Sequence, residues 1–276
     1  MSYATMMVHV DAEHDSEQRV QLALGLAERF EATLIGIAGL ALRPAFASSG
    51  IVIYAEPTER ELQYMRVRLE EMGRKFCGQG QCLKQVEWRS APELPNELVA
   101  RQARAADLVI VGPRHPASAH LRRSDLIDPG VILLQAGRPV LVVPDIVTPH
   151  AFQRVMVAWK DTRECRRAVR DALPFLHQAK EVLLLGIGEG DAQPEAKKHL
   201  ADVGRYLARH RVSVAAEVAR SARRTVATEL LNFARDEQAD LIVAGGYGHS
   251  RLGEWMFGGV THELLAPGHV CCLLSH

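Results

Sequence analysis

Short apolar runs rich in β-branched residues alternate along the chain with longer amphipathic stretches, and the whole alternation occurs twice. Residues 6–11 (MMVHVD) are echoed at 155–160 (VMVAWK), and each is followed by a polar turn and a helical pattern, SEQRVQLALGLAERF or TRECRRAVRDALPFL. A second apolar run comes next, TLIGIAG at 33–39 or VLLLGIG at 182–188. Asp-Leu-Val-Ile-Val-Gly at 107–112 matches Asp-Leu-Ile-Val-Ala-Gly at 240–245, each preceded by a helical segment, ELVARQARAA or ELLNFARDEQA. Each half closes on an apolar run, PVLVV at 139–143 or VCCLL at 270–274.

Strand-length runs alternating with helices predict βαβ units and a parallel sheet. Right-handed crossovers then put helices on both faces. The predicted fold is α/β, two tandem doubly wound five-stranded parallel-sheet domains over 1–145 and 152–276, with 144–153 (PDIVTPHAFQ) as linker. The stretch near 40–56 reads as a loop inserted after the second strand of the first half. The two closing runs are apolar edge strands, liabilities unless covered, so the halves are expected to pair through them as a pseudo-dimer. Whether two chains then form a homodimer is left open.

Composition narrows the partners. The chain has 276 residues, about two domains' worth, with 47% hydrophobic and 24% charged residues. Lys+Arg and Asp+Glu are both 33, so no basic excess invites nucleic acid or an anionic membrane. No apolar run approaches a membrane span, and the start (MSYATMMVHVDAEHD) lacks the layout of a signal peptide. Five scattered cysteines, an odd number, argue against a disulfide framework and lead us to expect a cytoplasmic protein.

In open α/β sheets ligands bind beyond the carboxyl ends of the strands, at the switch point. In the second half that region reads Gly245-Gly246-Tyr247-Gly248-His249-Ser250-Arg251-Leu252-Gly253, then Gly258-Gly259-Val260-Thr261 opening a helix. Glycines admit close backbone approach, and amides of Gly258, Gly259 and Val260 at a helix start suit an anion. Ser250 and Thr261 offer hydroxyls, and His249 stands beside them. The plainer reading is a Gly-rich turn.

This stretch resembles the signature of the universal stress protein family: Gly, two residues, Gly, nine residues, Gly, then Ser or Thr. Gly245, Gly248 and Gly258 match, Gly259 stands where a hydroxyl is usual, and Val260 fits the following backbone donor. The resemblance implies the adenine nucleotide alpha hydrolase-like fold and either binding of ATP or another adenine nucleotide or a nucleotide-free stress protein; the scattered histidines, with no HxxxH or CxxC spacing, predict no metal beyond nucleotide-bound Mg. The resemblance also implies pairing through the last strands. The family often carries an acid at the end of its first strand. Asp11 matches in the first half, while the second half has Trp159-Lys160-Asp161 there. Lys160 cannot accept from a ribose hydroxyl, though it could meet a phosphate.

The first half has His115 where the second signature glycine would be, and Asp128-Pro129 where the phosphate amides would be. Pro129 has no N–H and Asp128 would repel a phosphate, so this half is expected not to bind a triphosphate. Arg114, Arg122 and Arg123 are read as solvated, or as holding some other ligand. Adjacent Cys271 and Cys272 should point to opposite faces of a strand as buried thiols. No nucleophile stands beside a placed base. The sequence therefore points to a stress-response protein that binds an adenine nucleotide, with a nucleotide-free scaffold and a slow ATPase as alternatives.

Overall fold

The computed structural model describes residues 2–12, 16–40, 46–48, 51–53, 58–81, 83, 85–115, 126–147, 152–188, 193–220, 225–247 and 259–276. The first half runs β1 (Thr5–His9), α1 (Glu17–Phe30), β2 (Thr33–Gly39), β3 (Phe46–Ser48), β4 (Ile51–Ile53), α2 (Glu59–Gln79), β5 (Val86–Ala91), α3 (Pro95–Gln102), a 3-10 turn, β6 (Leu108–Val111), α4 (Pro129–Gln135) and β7 (Val140–Val142). The second repeats the scheme: β8 (Arg154–Trp159), α5 (Arg163–Asp171), a short α6 (Leu173–Leu176), β9 (Glu181–Gly188), α7 (Gln193–Arg209), β10 (Ala215–Arg220), α8 (Val226–Asp236), β11 (Leu241–Gly245), α9 (Gly259–Leu264) and β12 (Cys271–Ser275). One expectation is corrected. The 40–56 insertion is more than a loop, because β3 and β4 form an antiparallel ribbon with Phe46 opposite Ile53. The β-branched run at Ile51–Ile53, set off by a Ser-Gly pair, is the hairpin signal that the length of the insertion obscured.

All main strands join one ten-stranded sheet in the order β10-β9-β8-β11-β12-β7-β6-β1-β2-β5. Within each half the strands are parallel. The halves meet where β12 and β7 run antiparallel, Leu273 opposite Leu141. The two apolar edges thus cover one another, as expected, and the halves are related by an approximate twofold axis at this seam.

Alternation along the strands feeds two cores. Val8, Ile110, Val157, Val243 and Leu273 face α1, α5 and α7; Met7, Val109, Met156, Ile242 and Leu274 face α3, α4, α8 and α9. Cys271 belongs to the first core and Cys272 to the second, as their adjacency required. Burial pushes the Cys272 thiol up to about 12 and Cys271 further still, so neither supplies a thiolate.

Both cores cross the seam. Phe175 of α6 packs on Tyr3, Phe30 and Phe152 with ring centroids 5.2, 5.4 and 5.0 Å apart. The Tyr3 hydroxyl donates to the Asp171 carbonyl. Such pairs contribute roughly 0.5–1.5 kcal/mol each beyond their area. The repeated aspartates do the same work in each half. Asp107 Oδ2 accepts from the amides of Ala4 (2.8 Å) and Thr5 (3.0 Å). The Asp240 carboxylate accepts from those of Gln153 (2.7 Å) and Arg154 (3.1 Å). Each ties the entry of its half's central strand to the strand beside it. Among the described residues no helix is long and apolar enough to cross a membrane.

Candidate functional site

Each half has its switch point where its first and fourth strands lie side by side but send their following helices to opposite faces: β1 and β6, or β8 and β11. The crevice lies at the strands' carboxyl ends.

In the second half Trp159, Lys160 and Asp161 form one wall, running from β8 into α5. Thr162 caps α5, its hydroxyl accepting from the Cys165 amide at 3.3 Å. Asp161 turns outward to Arg166, 2.7 Å away. Trp159 packs against the core, yet its Nε1, buried, has no hydrogen-bond partner among the described residues. Gly245 closes the floor. A methyl group on it would fall 2.5 Å from the Cys165 amide nitrogen and 2.9 Å from Glu164 Cβ, so the first signature glycine makes room for α5 rather than for a phosphate.

Sequence reasoning missed Glu164. Its side chain is 2% exposed, one oxygen takes Arg163, and Oε2 has no partner among the described residues. Burial disfavours its charge, but hydrogen bonds from Arg163, the first-turn backbone and Thr162 outweigh that and hold the carboxyl below its ordinary value. A lone glutamate in a helical stretch carries no motif, so only the close approach to Gly245 exposes its place.

Thr261 has a role within the fold itself. It is buried, and its hydroxyl accepts from the Tyr247 amide at 3.2 Å, holding the loop's start to α9. The Gly246 amide likewise donates to the Ser275 carbonyl at 2.9 Å. Gly259 and Val260 do open α9, where first-turn amides lack intrahelical acceptors. Gly248, His249, Ser250 and Gly258 lie outside the described residues.

The first-half crevice is filled by the protein itself. Arg19 occupies in α1 the position, relative to the cap Ser16, that Cys165 holds in α5 relative to Thr162. It is buried, with Nε donating to the His9 carbonyl at 3.0 Å, and its Nη1 lies where a methyl on Gly112 would be, 2.1 Å from that position. His9 beside it has a buried Nδ1 without a partner among the described residues. Burial, with Asp11 opposing and Arg19 assisting, lowers its pKa to about 4, so the imidazole is neutral. At the start of α4 the Asp128 carboxylate accepts from the Gly130 amide at 2.9 Å and from Arg114 Nε and Nη2 at 3.1 and 2.7 Å. Asn96 of α3 accepts from the Asp128 amide at 2.7 Å. A carboxylate thus stands where a phosphate would, which accounts for the lost amide at Pro129. A groove of about 840 Å³ along Gln18, Gln21, Leu22 and Gly25 of α1 belongs to neither crevice.

The model of the universal stress protein family matches residues 151–274. No curated protein matches the chain at a significant level. Among solved structures, the fold is similar to that of a universal stress protein from Archaeoglobus fulgidus, with TM-score 0.75, 15% identity, and coverage of 98% of this chain and 95% of that one. A candidate universal stress protein from Pseudomonas aeruginosa follows with TM-score 0.62, 14% identity, and coverage of 99% and 93%. A functionally unknown protein of the same species gives TM-score 0.60, 14% identity, and coverage of 99% and 92%. The second half therefore belongs to the universal stress protein family, and the chain as a whole has the fold of universal stress proteins of its own length.

Proposed function

We propose that the second half binds an adenine nucleotide, ATP or a relative, and that the protein acts by binding rather than catalysis in a cytoplasmic stress response. The observation that carries this reading is a pair of buried polar atoms at the carboxyl end of β8 and the start of α5, the Trp159 Nε1 donor and the Glu164 Oε2 acceptor, neither with a partner among the described residues. Buried polar atoms are almost always paired, and a ligand bearing both donors and acceptors would pair them. In this reading Glu164 accepts from a nucleoside hydroxyl or amino group, the task Lys160 cannot do. Lys160, with the amides of Gly258, Gly259 and Val260, serves the phosphates, and any metal arrives with the nucleotide. One observation favours a nucleotide-free interaction protein instead: the Gly246 and Tyr247 amides already have acceptors within the chain.

Equilibrium dialysis of ATP against the purified protein separates the two. Wild type should bind, and Glu164→Gln should weaken binding about tenfold, the scale of a hydrogen bond to a charged group. Trp159→Phe should weaken it a few-fold. No binding by wild type at millimolar ATP would leave the scaffold reading in possession.

A further inference from the structure

The two fourth-strand loops meet at the seam. Gly112-Pro113-Arg114 and Gly245-Gly246-Tyr247 are matching segments, so Arg114 and Tyr247 hold equivalent places across the approximate twofold axis. They sit together: the Arg114 guanidinium lies close enough to the Tyr247 hydroxyl to oppose the rise that burial imposes on its pKa. A methyl on Gly130 would fall 2.3 Å from that hydroxyl, 2.4 Å from Arg114 Nη2 and 3.1 Å from Asp128 Oδ1, so three polar groups converge on one point that only glycine leaves open. The Arg114 amide donates to the Leu265 carbonyl at 2.7 Å. Leu133 of α4 packs against Gly246 closely enough that a methyl there would meet its Cδ2 at 2.4 Å. Tyr247 itself sits at φ 56°, a left-handed conformation that a bulky residue keeps only under outside restraint.

We propose that the first half's lost phosphate site has become a clamp: Arg114, held by Asp128, is a positioning residue that fixes Tyr247 and thereby the entry of the second half's nucleotide loop. Asp128 neutralises the guanidinium and aims it, and Asn96 aims Asp128. The guanidinium restrains the Tyr247 ring, while the Tyr247 amide is tied to Thr261 at the start of α9. Tyr247 and the start of α9 are then held from the degenerate half, and holding them in advance lowers the cost of ordering them on a ligand. The functional consequence rests on the nucleotide reading above; the clamp itself does not.

The test therefore has two readouts. In the nucleotide-free full chain, hydrogen–deuterium exchange at the amides of Gly246 and Tyr247 should speed up about tenfold in Arg114→Ala. Tyr247→Phe should do the same, and the double variant should add little to either single one, because one contact is removed in each case. Exchange in β8 and β9 should stay unchanged, which separates loosening of the loop from general unfolding. ATP affinity should fall in parallel by a similar factor, with partial recovery in Arg114→Lys. Unchanged exchange in Arg114→Ala, or additive effects in the double variant, overturns the clamp. Faster, non-additive exchange in a protein that binds no ATP upholds the clamp and removes the nucleotide reading alone.

Discussion

The two crevices share a scaffold and differ in what fills them. In the first half a buried arginine from α1 fills the space beside Gly112, and a carboxylate at the start of α4 supplies the negative charge that a phosphate would bring. In the second half the arginine's place belongs to Cys165, whose thiol turns to the Ala158 carbonyl at 3.7 Å, and a donor and an acceptor are buried without partners among the described residues. Asp128 is paired with Arg114 and Arg19 is bonded to the His9 carbonyl, whereas a bare donor and acceptor are a standing cost unless a ligand meets them. The core faces are unaffected by the difference, because the residues involved lie in a loop, in the first turn of a helix or, for Trp159, at the last position of a strand. A duplicated sheet can therefore keep its packing while one copy gives up its ligand.

The largest expected effect separates the glycines that end the two fourth strands. Gly245→Val should destabilise by about 3–5 kcal/mol, since its side chain would meet α5 backbone that cannot yield. Gly112→Ala meets the flexible end of Arg19 and should cost about 1–3 kcal/mol. Urea unfolding of both variants gives the comparison; equal midpoints would show that the α5 contact is as yielding as the guanidinium.

Next comes a pH effect confined to the first half, where His9 stands and the second half has Ala158. Burial lowers the folded pKa of His9 to about 4 against 6.5 for the free side chain. Between these values the unfolded chain binds a proton that the folded chain refuses, so stability is complete above about 6.5 and lost as pH falls towards 4. From pH 7 to 5 this group should remove about 2 kcal/mol. His9→Ala should lose about that much less over the same interval in urea unfolding, and an identical pH dependence in the two proteins would refute the assignment.

The duplication and the closing strands were legible because they rest on repeated local patterns: paired Asp-Leu runs, alternation, and two apolar edges seeking cover. The clefts were less so. Glu164, Arg19 and the Arg114–Tyr247 contact depend on how α5, α1 and the partner half approach, and none leaves a spacing signal in the chain. Thr261 shows the opposite case, a hydroxyl in a ligand-like position whose lone pair the fold uses for its own loop. The arrest at Asp128 was half visible: its repulsion of phosphate followed from charge, but its role as a built-in anion needed Arg114 and Gly130 beside it.

The smallest effect tests whether the halves are framed alike. Asp107 and Asp240 each hold two amides at the entry of a central strand, but Ala4 N–H is exposed while both amides on Asp240 are partly buried. Burial also raises the Asp240 pKa, against the pull of the Gln153 and Arg154 amides, a sign of a drier setting. An amide left unpaired in water recovers its hydrogen bond from solvent, and one left in a drier place does not. Asp240→Ala should therefore cost about 2 kcal/mol and Asp107→Ala about 1 kcal/mol. Parallel urea titrations resolve a difference of that size. If the order were reversed, the first half's entry would be the tighter one, and the degenerate half would be the mechanical anchor of the sheet as well as the holder of the loop.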